Sequence, residues 1–369
     1  MAEETLLATW VIIDKVRFMT DTALKTSHEN PKAIGLWLFL SSAMVLAMMI
    51  IGAITRLTES GLSMTEWRPL IGWIPPIGDV EWQRVFSLYQ QTSQYKLANV
   101  GMSVEEFKNI FFWEYIHRVW GRLIGLVFAL PLFFFFIKGM IPVGYKKHLI
   151  ILLLLGGLQG FIGWWMVKSG FVDRTEVSQY RLAVHLGMAF IILGYLVWLA
   201  IGLVFPIEAG RPDVPRGFRR LGSLTHEVIF FTILSGALVA GLGAGLAYND
   251  WPFMDDQIFP EYYWELDPWW LNFFENIAAV QFDHRLFAYI TILFVGALFI
   301  WSKRLNLAPR LRLSINCLTA ILTIQVMLGI STLMLVVPID LAVMHQGGAA
   351  LTFCTALWVM KELRGKAQK

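Results

Sequence analysis

Charge is what this chain has least of. Only 15% of its 369 residues are charged, against 57% hydrophobic, and the mean hydropathy is +0.59. A soluble domain carries about 25% charged residues, so the composition excludes an ordinary soluble globular protein and points to an integral membrane one. Cysteine is nearly missing too. Cys317 and Cys354 are the only two, far apart and both inside apolar runs. With no CxxC pair, a thiol-based site is excluded, and both residues read as small packing groups. A formal net charge of +3 makes no case for a nucleic-acid partner. The glycine-rich "SGALVAGLGAGLA" lies within an apolar run and is not a nucleotide loop. Small residues there let helices, or a flat macrocycle, approach closely.

What the chain does have is length without charge. Eight apolar runs stand out, at about 33–54, 115–137, 149–167, 182–205, 228–247, 286–301, 313–337 and 341–360. A helix of about 20 residues crosses the hydrocarbon core, where lipid-exposed backbone must satisfy its own hydrogen bonds. The expected fold is an all-α integral membrane protein with eight transmembrane helices. The first run starts too late for an ordinary secretory signal, so it reads as retained. Loops 138–148, 206–225 and 302–312 and the tail 361–369 hold 15 Lys/Arg against 3 Asp/Glu. Loops 56–113, 168–181, 248–283 and 337–340 hold 8 against 17. Cationic loops stay cytoplasmic, which puts both termini inside.

The chain also repeats itself. "GAITRLTESGLSMTEWRPLIGWIPP" from Gly52 matches "GALVAGLGAGLAYNDWPFMDDQIFP" from Gly236, pairing Gly61 with Gly245, Trp67 with Trp251 and Pro76 with Pro260. His117-Arg118 then matches His284-Arg285, Gln159 and Gly163 match Gln325 and Gly329, and His185 matches His345. Two four-helix bundles follow, related by a parallel internal repeat. The expected organisation is an N-terminal cytoplasmic segment 1–32, a first half 33–205, a cytoplasmic linker 206–225, a second half 226–361 and a cytoplasmic tail 362–369.

Of seven histidines, His28, His148 and His226 read as solvated interfacial residues. The other four, His117, His185, His284 and His345, open the even-numbered spans near the outer face. Polar side chains at membrane depth are costly and usually functional. Two imidazoles from facing helices suit an iron porphyrin, one on each side of the ring, which pairs His117 with His185 and His284 with His345. Zinc is the weaker reading. It wants a third or fourth ligand, and the second half offers only Asp283, which points off the His face. Arg118 and Arg285 are candidates for holding propionates, since a guanidinium fork matches a carboxylate. The outer-loop tryptophans read mostly as an interfacial belt.

The halves differ at one chemical position. Glu114 lies one turn before His117, and its equivalent before His284 is Gln281. A carboxylate beside a porphyrin can move protons or stabilise developing positive charge; a glutamine does neither as well. The first half therefore reads as the reactive one and the second as a cofactor half.

Eight spans, the duplication, "EYIH" opening the second span, histidines opening the fourth, sixth and eighth, and "TRLTESGLSMTEW" after the first resemble the haem A synthase family, in its version without a cysteine pair in the first outer loop. The resemblance covers the chain from about residue 33. It implies oxidation of the C8 methyl of haem O to the formyl of haem A, by two hydroxylations and dehydration, for cytochrome oxidase assembly. It implies a resident haem b on the iron ligands His284 and His345, with His117 and His185 flanking substrate haem O and Glu114 in catalysis. It further implies substrate delivery by haem O synthase, an electron-transfer partner of unstated identity, and a multi-pass place in the bacterial inner membrane. A di-haem cytochrome that only relays electrons would explain the histidines but not the single glutamate. A transporter would want its polar residues at the bilayer midplane.

Overall fold

Asn30 opens the first long helix. Its side chain accepts a hydrogen bond from the Ala33 amide at 3.0 Å, and Pro31 stands at the first helical position, where a missing N–H costs nothing. The computed structural model describes residues 29–66, 72–171, 175–207 and 212–364. His28, Trp67, most of the N-terminal segment and the last residues of the tail lie outside them.

Eight long helices are described: α1 (Pro31–Leu57), α2 (Val104–Ile137), α3 (Tyr145–Lys168), α4 (Gln179–Val204), α5 (Arg216–Gly241), α6 (Ile277–Ser302), α7 (Pro309–Met334) and α8 (Ile339–Leu363). Among the described residues the first seven are long and apolar enough to cross a membrane. The chain is thus a multi-pass membrane protein. α8 is as long, at 25 residues. Asp340, His345 and Gln346 in its first turns interrupt its apolar stretch, so of the eight expected spans seven are apolar enough to cross and the eighth is a helix of similar length with a more polar start.

Two boundaries depart from the sequence reading. α2 begins at Val104 rather than near 115, because Ser103 and Glu106 form a reciprocal capping box. Its added turns bury Phe107 and Phe111 against Phe86 and Tyr89, from the short helix Asp79–Tyr89. What looked like a long outer loop is thus a small folded cap on α2. α5 runs from Arg216 to Gly241 rather than over 228–247. The glycine run that looked helical ends it instead, since Gly243 takes a left-handed φ of 63°.

The helices pack in two closed sets. α1 and α3 each contact α2 and α4; α5 and α7 each contact α6 and α8. α2 and α4 therefore stand diagonally in one set, as do α6 and α8 in the other. The sets join where α4 meets α5 and where α8 meets α1 and α4. Ile34, Leu38, Phe190, Leu193, Leu298 and Phe353 fill this buried centre. Close approach is bought with small residues: a Cβ on Gly194 would stand 3.0 Å from the Phe353 ring, and one on Gly222 2.2 Å from Leu363. Outward side chains such as Phe133, Leu154, Leu293 and Ile324 are exposed, as lipid-facing residues would be.

Candidate functional site

α1 and α5 end alike. After Leu57 the chain places Glu59 in the left-handed region (φ 52°) and makes one 3-10 turn, Ser60–Leu62. After Gly241 it places Gly243 there and makes the turn Ala244–Leu246. Each turn leads into a segment that folds back on the N-terminal part of α2 or α6.

Those N-terminal parts carry the polar residues. In the first set Glu114 is buried, 3% exposed. Its Oε2 accepts from the Ser63 hydroxyl and the Met64 amide, both at 2.7 Å, and its Oε1 accepts from Arg118 Nη2 at 2.5 Å. Arg118 also donates to the carbonyls of Met64 (2.9 Å) and Glu66 (3.2 Å). In the second set Gln281 stands in the same place, 2% exposed. Its Nε2 donates to the carbonyls of Ala244 (2.8 Å) and Ala247 (2.5 Å), and its Oε1 accepts from Arg285 Nη2 at 3.0 Å. Arg285 donates further to the carbonyls of Tyr248, Asp250 and Phe253. The same joint is built twice, once with an anion and once without.

One turn on, the four imidazoles meet four glycines. A Cβ on Gly52 would lie 3.1 Å from Cε1 of His117, on Gly163 2.9 Å from that of His185, on Gly236 2.9 Å from His284, and on Gly329 2.8 Å from His345. Each ring thus brings its Cε1 against a neighbouring backbone that has no side chain to displace it. His117 on α2 and His185 on α4 share one set, within electrostatic range of each other, as do His284 on α6 and His345 on α8 in the other. The structure brings together the pairs expected from the repeat.

Their Nδ1 atoms are held differently. Gln159 Nε2 reaches both the carbonyl (3.0 Å) and Nδ1 (3.2 Å) of His185, and Gln325 does the same for His345 at 2.9 and 3.1 Å. Nδ1 of His284 is 2.9 Å from the Ser235 hydroxyl. Nδ1 of His117 is buried with no partner among the described residues. The glutamines appear in the repeat, and their spacing from the histidines was legible; Ser235 carried no signal in the sequence.

Other candidates fall elsewhere. Asp283 accepts from the Tyr263 hydroxyl at 2.8 Å, off the histidine face as expected. Among the described residues no group of three or more His, Cys, Asp or Glu could hold a metal ion, so neither pair is completed as a zinc site requires. His148 is exposed and pairs with the Tyr195 hydroxyl. His226 departs from its solvated reading: it packs on the Phe353 ring at 4.8 Å between sets, and its Nε2 is buried. Cys317 and Cys354 are free. An apolar cavity of about 390 Å³ flanks Arg285 and Tyr289, on a face of α6 that His284 does not share.

Fold and site define a class: a multi-pass helical membrane protein that sets two imidazole pairs in two alike helix sets. The matching family model, that of a cytochrome oxidase assembly protein (COX15-CtaA), spans residues 35–357. The chain is 47% identical over 336 residues to a protein of Nitrosospira multiformis named "Heme A synthase", covering 90% of this chain and 94% of that one. It is 49% identical over 338 residues to one of that name from Rhodospirillum centenum, covering 92% and 90%. This chain belongs to the COX15-CtaA family of cytochrome oxidase assembly proteins.

Proposed function

We propose that the chain is a haem A synthase, an oxidoreductase that converts the C8 methyl of haem O to the formyl of haem A by two successive hydroxylations and loss of water. The observation that carries this reading is the asymmetry inside a duplicated site. Both sets offer an imidazole pair, and only the first places a buried carboxylate, Glu114, one turn from it. The names of the relatives support the same reaction.

The residues fit an iron porphyrin. Two imidazoles on diagonal helices, without a third protein ligand among the described residues, suit an iron whose other positions the macrocycle fills. His284 and His345 would hold the resident haem b, which supplies one-electron transfer when bound. His117 and His185 would flank substrate haem O.

Glu114 works as a fixed anion. Three donors hold its two oxygens, so it is fixed in place. That favours stabilising positive charge developing on the substrate over taking up a proton, because preorganised charge needs no rearrangement during reaction. Arg118 and Arg285 close the preceding segments onto α2 and α6, and would stand near the propionates of a bound porphyrin. The buried Nε of Arg285 has no partner among the described residues and would be the donor left for a propionate.

The wider arrangement follows. Eight helices form two four-helix bundles in parallel repeat, α1–α4 (substrate) and α5–α8 (haem b), joined by the segment between Val204 and Arg216. Both termini are cytoplasmic, and the sites lie near the outer face of the bacterial inner membrane. Haem O synthase supplies the substrate, and a separate electron-transfer partner completes the oxidation. The test is pigment extraction from membranes of cells expressing the chain with haem O synthase. Haem A with its hydroxymethyl precursor is the expected result; unmodified haem alone would leave an electron-relaying cytochrome in its place.

A further inference from the structure

The two imidazole pairs are alike at His185 and His345 and unlike at His117 and His284. Ser235, one residue before Gly236, makes the difference. Its hydroxyl donates to the Thr232 carbonyl at 2.8 Å, so toward His284 it acts as acceptor, at 2.9 Å from Nδ1. This puts the ring proton on Nδ1 and the free lone pair on Nε2. Thr232 is itself tied down, its hydroxyl 2.8 Å from that of Thr291 on α6. The equivalent residues in the first half, read at the offsets that pair Gly52 with Gly236 and His117 with His284, are Ile51, Met48 and Ile124. All three positions are apolar there, and Nδ1 of His117 is buried with no partner among the described residues.

We propose that Ser235, braced by Thr232 and Thr291, is the positioning residue that makes His284 a permanent axial ligand, and that Ile51 in its place leaves His117 an exchangeable one. The inference rests on the haem reading above. A histidine ligand that donates its other ring N–H to a fixed acceptor is locked in tautomer and orientation and becomes a stronger base toward the metal. A ring without that bond can rotate or change tautomer at little cost. An enzyme whose porphyrin substrate must arrive and leave needs one site of each kind. The substrate half therefore keeps its glutamine-held histidine, His185, and gives up the second anchor.

The test uses the full chain purified in detergent, with haem transfer to excess apomyoglobin and the midpoint potential as readouts. Ser235→Ala should lose the second-half haem about tenfold faster or more and shift its midpoint potential positive, because the ferric iron has a weaker donor. Ser235→Thr, which keeps the hydroxyl, should stay near wild type. Ile51→Ser should slow haem release from the first half. Unchanged transfer and potential in Ser235→Ala overturn the inference, as does a Ser235→Thr protein as impaired as Ser235→Ala. His284→Ala separates the two levels. Loss of haem there while Ser235→Ala behaves as wild type overturns only the role of Ser235. Full haem retention in His284→Ala overturns the haem assignment and this inference with it.

Discussion

Arg56, at the end of α1, donates to the carbonyl of Ala240, the residue that occupies its own position in the second half. The same Nη2 pairs with Glu176 at 2.5 Å. One side chain thus caps the C-terminal end of α5, where carbonyls have no helical partner, and pins it to the segment before α4. The Glu176 side chain is 43% exposed, so the ion pair is worth at most about 1 kcal/mol. Arg56→Ala should lower the thermal midpoint in detergent slightly while both haems are retained. Loss of haem from the first half would show that the contact also shapes the site.

Glycine behind each imidazole gives a sharper prediction. In Gly329→Ala the new methyl would sit 2.8 Å from His345 Cε1, and in Gly163→Ala 2.9 Å from His185 Cε1. Real side chains do not approach so closely, and overpacking costs about 1–3 kcal/mol. The ring must turn away. Gly329→Ala should strip the second-half haem from purified protein, seen as loss of the low-spin absorbance, and Gly163→Ala should spare that haem while abolishing haem A formation. Equal behaviour of the two variants would contradict the assignment of one porphyrin to each set.

Replacing Glu114 by Gln tests the charge with little change of shape. The outer segment meets Glu114 with donors, Ser63 and the Met64 amide, whereas it meets Gln281 with carbonyls. Glutamine at 114 therefore turns one amide N–H toward a donor, at about 1–3 kcal/mol. The protein should still hold its second-half haem, while haem A yield falls by about two orders of magnitude. Undiminished haem A in this variant would remove Glu114 from the chemistry and leave it as the anchor of the outer segment.

Tyr263 predicts a pH response outside the membrane. Burial first, and then its bond to Asp283, push its hydroxyl well above the usual tyrosine range. Its folded value lies above the unfolded one, near 10, so its contribution to stability is complete below that pH and fades as pH rises through the folded value. The ultraviolet phenolate signal of this residue should appear only at strongly alkaline pH, together with loosening of the outer segment. Tyr263→Phe should remove the late signal and weaken that segment at every pH.

Much of this was legible before any coordinates. Four histidines at matching places in a duplicated pattern named the pairs, because the period of the repeat and the cost of polar groups in lipid are both written in residue order. The Glu114 and Gln281 difference was legible for the same reason. Other features were not. Residues 104–114 looked like loop because their charges masked an amphipathic turn, and their helix depends on packing against Tyr89 and Phe86 from distant sequence. The glycine run after Ser235 looked helical by hydropathy, but a left-handed residue at Gly243 ends it. The partners of Arg118 are backbone carbonyls, which no residue type announces.

α8 is the one long helix among the described residues that falls short of the apolar stretch a membrane span needs, with His345 and Gln346 near its start, and it packs against α1, α4, α5 and α7. A span with polar residues enters lipid poorly alone and well beside helices already there. α8 also follows the other seven in chain order. His345 is therefore the last of the four imidazoles in chain order, and the proposed haem site of the second half closes only once α8 has packed beside its neighbours. Porphyrin capture in the second half would then report that α8 has reached its place.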